Sequence, residues 1–166
     1  MKLTAIVSAL VLGITSIAVL ADEAPKLGLA ERRALKEYQE KTYPDLLKEI
    51  QTAAGFEVPV EVPWEKIALP GKADLYQQPI FWTDIYFKPL AQAFAEITKD
   101  EMGKAALKEK LKSIVIVFDD DAPVSDHAAG MKFDDGVLTI DAAPYVNGQD
   151  LNQRAEAIVK TLEPKL

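Results

Sequence analysis

Cysteine is absent from all 166 residues. Neither a lipid-modified cysteine at a processing point nor a disulfide is available, so stability has to come from an ordinary hydrophobic core. Histidine occurs once, as His127, which excludes every zinc pattern that needs two. Serine is sparse too: beyond residue 21 only Ser113 and Ser125 remain, and neither lies in a glycine-flanked nucleophile elbow. Ser125, Asp126 and His127 are consecutive, but neighbouring side chains on extended backbone diverge, whereas a catalytic triad needs groups that converge. No glycine-rich loop of the phosphate-cradling or dinucleotide kind is present.

Positive charge is also short. Lys and Arg number 19 against 26 Asp and Glu, a net −7, and the only arginines are Arg32, Arg33 and Arg154. A surface of this kind repels phosphate backbones and anionic lipid, so no nucleic-acid partner is expected.

What is present begins with MKLTAIVSALVLGITSIAVLA, a positive start at Lys2, an uncharged stretch from Leu3 and small residues at Val19 and Ala21. This is the pattern of a secretory signal over 1–21, cleaved after Ala21. Its length approaches the roughly 20 apolar residues of a spanning helix, but Thr4, Ser8, Gly13, Thr15 and Ser16 dilute it. The expectation is a periplasmic or secreted protein, with no stable membrane insertion after cleavage. A polar tether over 22–28 and a single α+β domain over 29–166 would follow, a length that one core can serve.

Within that domain, Leu35, Tyr38, Thr42, Leu46 and Ile50 recur at helical spacing up to Gly55. Pro44 either kinks this helix or restarts it from its first turn. FEVPVEVPW alternates Phe56, Val58, Val60, Val62 and Trp64 against Glu57, Pro59, Glu61 and Pro63, which predicts a half-buried strand with one edge stripped of donors by proline. PIFWTDIYFKPLAQAFAEI supplies a helical stripe of Phe87, Leu90, Phe94 and Ile97. Thr98 and Glu101 fit a capping box for a following helix.

SIVIVF, Ser113 to Phe118, is apolar at nearly every position, as suits a strand covered on both faces or central in a sheet. MKFDDGVLTID predicts a hairpin turning at Asp135-Gly136, with Phe133 opposite Leu138 and Met131 opposite Ile140. A last helix would be capped by Asp150, with Gln153 three residues on, and would bury Leu151, Ala155, Ile158, Val159 and Leu162. The order helix, strand, helices, three strands, helix predicts a two-layer α+β sandwich with a mainly antiparallel sheet of about four strands.

Two groups invite a functional reading. FDDDAPVSDH puts Asp119, Asp120, Asp121 and Asp126 beside His127. On extended chain Asp119 and Asp121 point the same way, roughly 6.5 Å apart. With Asp126, a carbonyl and water they would make a loose oxygen site of the kind calcium accepts, while His127 would favour a transition metal. The simpler reading is that these carboxylates guard the aggregation-prone SIVIVF run and end in a solvated loop. The second group is Trp82 and Tyr86, four apart; exposed, the pair would stack on a sugar or grip a peptide, and otherwise it packs beneath the first helix.

The missing catalytic chemistry favours a non-enzymatic binding or interaction module acting on an envelope protein or small ligand. The alternative is a divalent-metal-dependent or acid-base hydrolase centred on Asp119, Asp121, Asp126 and His127.

Overall fold

The computed structural model describes residues 26–145 and 147–166. The expected signal over 1–21 and all but the end of the 22–28 tether lie outside the described residues. Among the described residues, no helix is long and apolar enough to cross a membrane.

The first rod is α1 (Leu29–Glu37), one π-helical turn (Tyr38–Thr42) and α2 (Tyr43–Ala54) in continuous succession. Proline explains the π turn. Pro44 sits in the first turn of α2, where its missing N–H leaves a gap in the ladder. Tyr43, just before it, donates five residues back to the Tyr38 carbonyl instead of four, so the wider turn shifts the ladder and the rod continues. The same device recurs: a π turn at Thr83–Phe87 precedes α4 (Lys88–Ile97), with Pro89 in its first turn and the Lys88 N–H donating to the Thr83 carbonyl. Gly55 stops α2 at φ +80°, its N–H donating to the Gln51 carbonyl at 2.9 Å, a left-handed cap that favours glycine.

Among the described residues the four strands are β1 (Val60–Glu61), β2 (Ser113–Val117), β3 (Met131–Asp134) and β4 (Val137–Asp141), in the order β1-β2-β4-β3. The fold is therefore mixed helix and sheet with about the expected number of strands. The hairpin has the expected register, Met131 opposite Ile140 and Phe133 opposite Leu138, with Asp135 at φ 53° and Gly136 at φ 87° as its two-residue turn.

The expectation of a mainly antiparallel sheet is overturned, because β1 pairs parallel with β2 and β2 pairs parallel with β4. A tight β2–β3 turn would have laid β3 beside β2. The connection 118–130 is instead long enough to pass over one strand position, about 10 Å, and the hairpin docks by β4. β4 is the more apolar arm; Lys132 and Asp134 are exposed on β3, as suits an edge.

The FEVPVEVPW strand is shorter than its alternation predicts, since only Val60 and Glu61 pair and Trp64 opens the short helix α3 (Trp64–Ile67). It is an edge strand, but its prolines face the other way. Ile114 N–H donates to the Pro59 carbonyl at 2.9 Å, so main-chain groups of Pro59 and Glu61 face β2 while those of Val60 face outward. The outer edge is limited by brevity, not by proline.

All fully buried side chains of the sheet lie on one face: Ile114, Ile116, Met131, Phe133, Leu138 and Ile140. On the other face Ser113, Val115, Val117, Val137, Thr139 and Asp141 are half-buried, and Glu61, Lys132 and Asp134 are exposed. β2 is thus central in the sheet without being covered equally on both faces. Over the buried face α4 lies between α2 and α6 (Leu151–Leu162), and α6 also packs on β3.

The stripe Phe87, Leu90, Phe94 and Ile97 is buried as expected. The capping box is not: Asp100 caps α5 (Glu101–Lys110) by accepting from the Gly103 N–H at 2.8 Å, and the Thr98 hydroxyl donates instead to the Ala53 carbonyl at 2.9 Å. Asp150 likewise makes no side-chain cap on α6, because its carboxylate turns to His127.

Candidate functional site

Trp82 and Tyr86 are both 0% exposed, so the expected stacking pair is a core pair. Trp82 stacks on Tyr76 with centroids 4.4 Å apart, meets Tyr38 edge-on at 4.9 Å, and donates Nε1–H to the Ile67 carbonyl at 3.1 Å. Tyr86 donates its hydroxyl to the Ala142 carbonyl at 2.6 Å. The reason is packing: α1 and α2 need a large apolar surface beneath them, and these aromatics supply it. Burial raises the Tyr86 phenol well above its ordinary value, leaving it a hydrogen-bond donor that ties α4's entry turn to the end of β4.

In an open sheet with parallel strands, groups converge beyond the carboxyl ends of those strands. Here those ends carry two connections, 118–130 after β2 and 142–150 after β4. Their described residues meet at His127 and at Phe118. His127 Nε2 lies 3.3 Å from Asp150 Oδ2, and Phe118 meets Tyr145 edge-on at 6.2 Å. Arg154, 2% exposed on α6, anchors the second connection by donating to the Asn147 carbonyl at 2.6 Å.

The four residues expected to bind metal do not share one cation. Asp119, Asp121 and Asp126 are exposed. Asp119 Oδ1 accepts from the Asp121 N–H at 3.0 Å and Asp126 Oδ1 from the Ala129 N–H at 2.7 Å, local turns that use the carboxylates to shape the loop. His127 faces Asp150 instead of the aspartates. Among the described residues, no three His, Asp or Glu side chains group so as to hold a metal ion. The extended backbone that would have aligned Asp119 with Asp121 bends at 120–122.

Asp119 instead has a partner of like charge across the sheet. Val117 pairs with Asp141 in the β2–β4 register, so Asp119 follows at the same end. Asp141 Oδ1 is buried and has no hydrogen-bond partner among the described residues. Burial pushes the Asp141 carboxyl above the usual range; Lys132 opposes the shift and Asp119 adds to it. A carboxylate in this position gains from a proton or from an incoming cation.

Asp141 was legible in principle. The alternation V-L-T-I-D puts Val137, Thr139 and Asp141 on one face, and an acidic residue ending the outward face of a strand marks that rim. Below the rim, a cleft of about 220 Å³ opens where β1 stops, lined by Glu61, Val62, Pro63, Val115 and Ile116. No family model, curated protein or solved structure matches this chain.

Proposed function

We propose that this protein is a non-enzymatic binding module, exported to the periplasm or beyond the cell, that engages an envelope protein or small ligand. The observation that carries the reading is the outward sheet face: Val115, Val117 and Val137, three β-branched apolar side chains at the centre of the sheet, are half-buried and contribute little to the protein's own core. An apolar surface bounded by polar groups is the usual form of an interaction site. Export rests on the leader-like first 21 residues. The test is affinity capture from envelope extract, with and without chelator, with the protein and its Val117→Lys variant as baits. A component retained with chelator and lost with the variant supports the reading; enrichment of nothing over a blank matrix contradicts it.

One observation favours a second reading, acid-base hydrolysis: the Asp141 carboxyl, shifted upward by burial and by Asp119, has the character of a general acid beside a carboxylate. Hydrolysis of a glycoside or ester panel in chelator, lost in Asp141→Asn and in Asp119→Asn, would establish it. No turnover across the panel would remove it.

A further inference from the structure

We infer that the outward sheet face docks a basic amphipathic segment of another protein, with apolar side chains on Val115, Val117 and Val137 and cationic ones at the Asp119–Asp141 rim and at Glu61. This rests on the binding-module reading and names the chemistry of its partner.

Three observations converge. The apolar strip runs along two adjacent central strands in register, Val115 beside Thr139 and Ser113 beside Val137. A partner laid across it would bury β-branched surface at about 25 cal/mol per Å². The frame of that strip is acidic at two places, Glu61 on the β1 edge and Asp141 with Asp119 at the carboxyl end, whereas Asp134 on the β3 edge is neutralised by Lys165. Lys132 is the opposing charge within the face, and Lys165, which reaches in from the C-terminus, is already paired with Asp134 at 2.9 Å. The buried Asp141 Oδ1 lacks a hydrogen-bond partner among the described residues, which an incoming ammonium or guanidinium would supply.

The same charges argue against other occupants. A second copy would set one acidic frame against another in a chain that already carries −7, and an anionic bilayer would meet carboxylates before it met valine. The two sheet edges are less available. β1 is only Val60–Glu61, and on β3 Lys165 donates to the outward Phe133 carbonyl. Larger clefts open on the helical side, one of about 630 Å³ lined by Lys48, Glu49, Lys88 and Gln92 among others and one of about 500 Å³ lined by Lys26, Arg32, Lys36 and Glu65 among others, but the lysines and arginine there lack the acidic frame that the sheet face offers a basic segment.

The test is fluorescence anisotropy with a labelled Lys/Leu amphipathic peptide and a Glu/Leu peptide of the same length. The Lys/Leu peptide is expected to bind, with affinity falling as salt rises; the Glu/Leu peptide is not. Val117→Lys should weaken binding at least about tenfold, a loss of about 1.4 kcal/mol. Should Val117→Lys lower the melting temperature, the exposed rim variants Glu61→Lys and Asp119→Lys carry the test, and each is expected to weaken binding severalfold.

Equal binding of both peptides, or binding untouched by all three variants, overturns the inference. So does a doubled mass in light scattering that Val117→Lys abolishes, which would identify the occupant as a second copy. Sedimentation with anionic vesicles that Val117→Lys abolishes would identify it as a membrane and overturn the inference equally. If the Lys/Leu peptide fails while an envelope component is still captured through another surface, the inference falls and the binding-module reading stands. If capture fails as well, both fall.

Discussion

Replacing Tyr86 by Phe removes a single hydroxyl from the junction between the helical layer and the end of β4. The ring is 0% exposed and meets Phe87 edge-on at 6.1 Å, contacts that phenylalanine keeps. What is lost is the 2.6 Å hydrogen bond to the Ala142 carbonyl. A buried hydrogen bond contributes about 1 kcal/mol net, and leaving its acceptor unsatisfied costs about 1–3 kcal/mol; the two overlap, so the expected loss is about 1.5–3 kcal/mol. For a domain of this size that corresponds to a fall in melting temperature of about 5–10 °C.

Tyr38→Phe is the internal control. Its hydroxyl meets the Thr83 hydroxyl at 2.8 Å, and Thr83 is half-buried, so water can replace the lost partner and the loss should stay below about 1 kcal/mol. Urea unfolding followed by circular dichroism should show a lower midpoint for Tyr86→Phe at an unchanged slope. A loss under about 0.5 kcal/mol, or one equal to that of Tyr38→Phe, would refute the assignment of this hydroxyl as a tie between the layers.

Other expectations concern pH, metal and backbone. Burial raises the phenols of Tyr38, Tyr43 and Tyr86, and pushes that of Tyr76 up to about 12. The folded protein thus holds protons that the unfolded chain releases near pH 10, and stability is retained below pH 10. It should decline above that by up to about 1.4 kcal/mol per pH unit for each such tyrosine, until the folded group itself titrates; an alkaline melting series flat from pH 9 to 11.5 would contradict this. Millimolar calcium should leave the melting temperature unchanged, since Asp119, Asp121 and Asp126 serve separate local turns or solvent; a rise of several degrees abolished by Asp121→Ala would show that the loop reorganises around the ion. Gly55→Ala should cost about 1 kcal/mol because φ is +80°, the nearest atoms to the new Cβ belonging to the flexible Lys104 side chain; a neutral result in thermal unfolding would argue against the left-handed cap.

Local patterning was readable where one periodicity and one turn chemistry agreed. Asp135-Gly136 set the hairpin register because its two positive-φ residues left one pairing that also kept Met131, Phe133, Leu138 and Ile140 on one face. The order of elements and the stripe along α4 were legible for the same reason. Strand direction was not. Whether β3 or β4 docks on β2 depends on how far the connection 118–130 travels, a tertiary property, although the charges Lys132 and Asp134 on β3 already hinted at an edge. Pro44 sits in the first turn of α2, one of its two expected placements, with a π turn before it that the sequence did not reveal; Pro59 misled, because it faces the paired side of β1 and alternation alone does not say which side of a strand is paired.

At the candidate site the acidic loop was visible as a run of charge, but its grouping was not. Asp119 and Asp121 look adjacent on an extended chain, but the chain bends at 120–122, and the charge that Asp119 acts on is that of Asp141, 22 residues further along the sequence and on the strand that pairs with β2. For Trp82 and Tyr86 the sequence left two readings, an exposed stacking pair or a pair packed beneath the first helix, because helical spacing alone cannot tell a binding stripe from a second core face; their burial settles it for the core.

The central claim, that the outward sheet face is a contact surface for another polypeptide, is met most directly by photocrosslinking in intact cells with a photoreactive side chain in place of Val115. The control is the same side chain in place of Lys108, which is exposed on α5. The account predicts a discrete higher-mass adduct at position 115 that is absent at 108. Adducts at neither position, or equally at both, would contradict it.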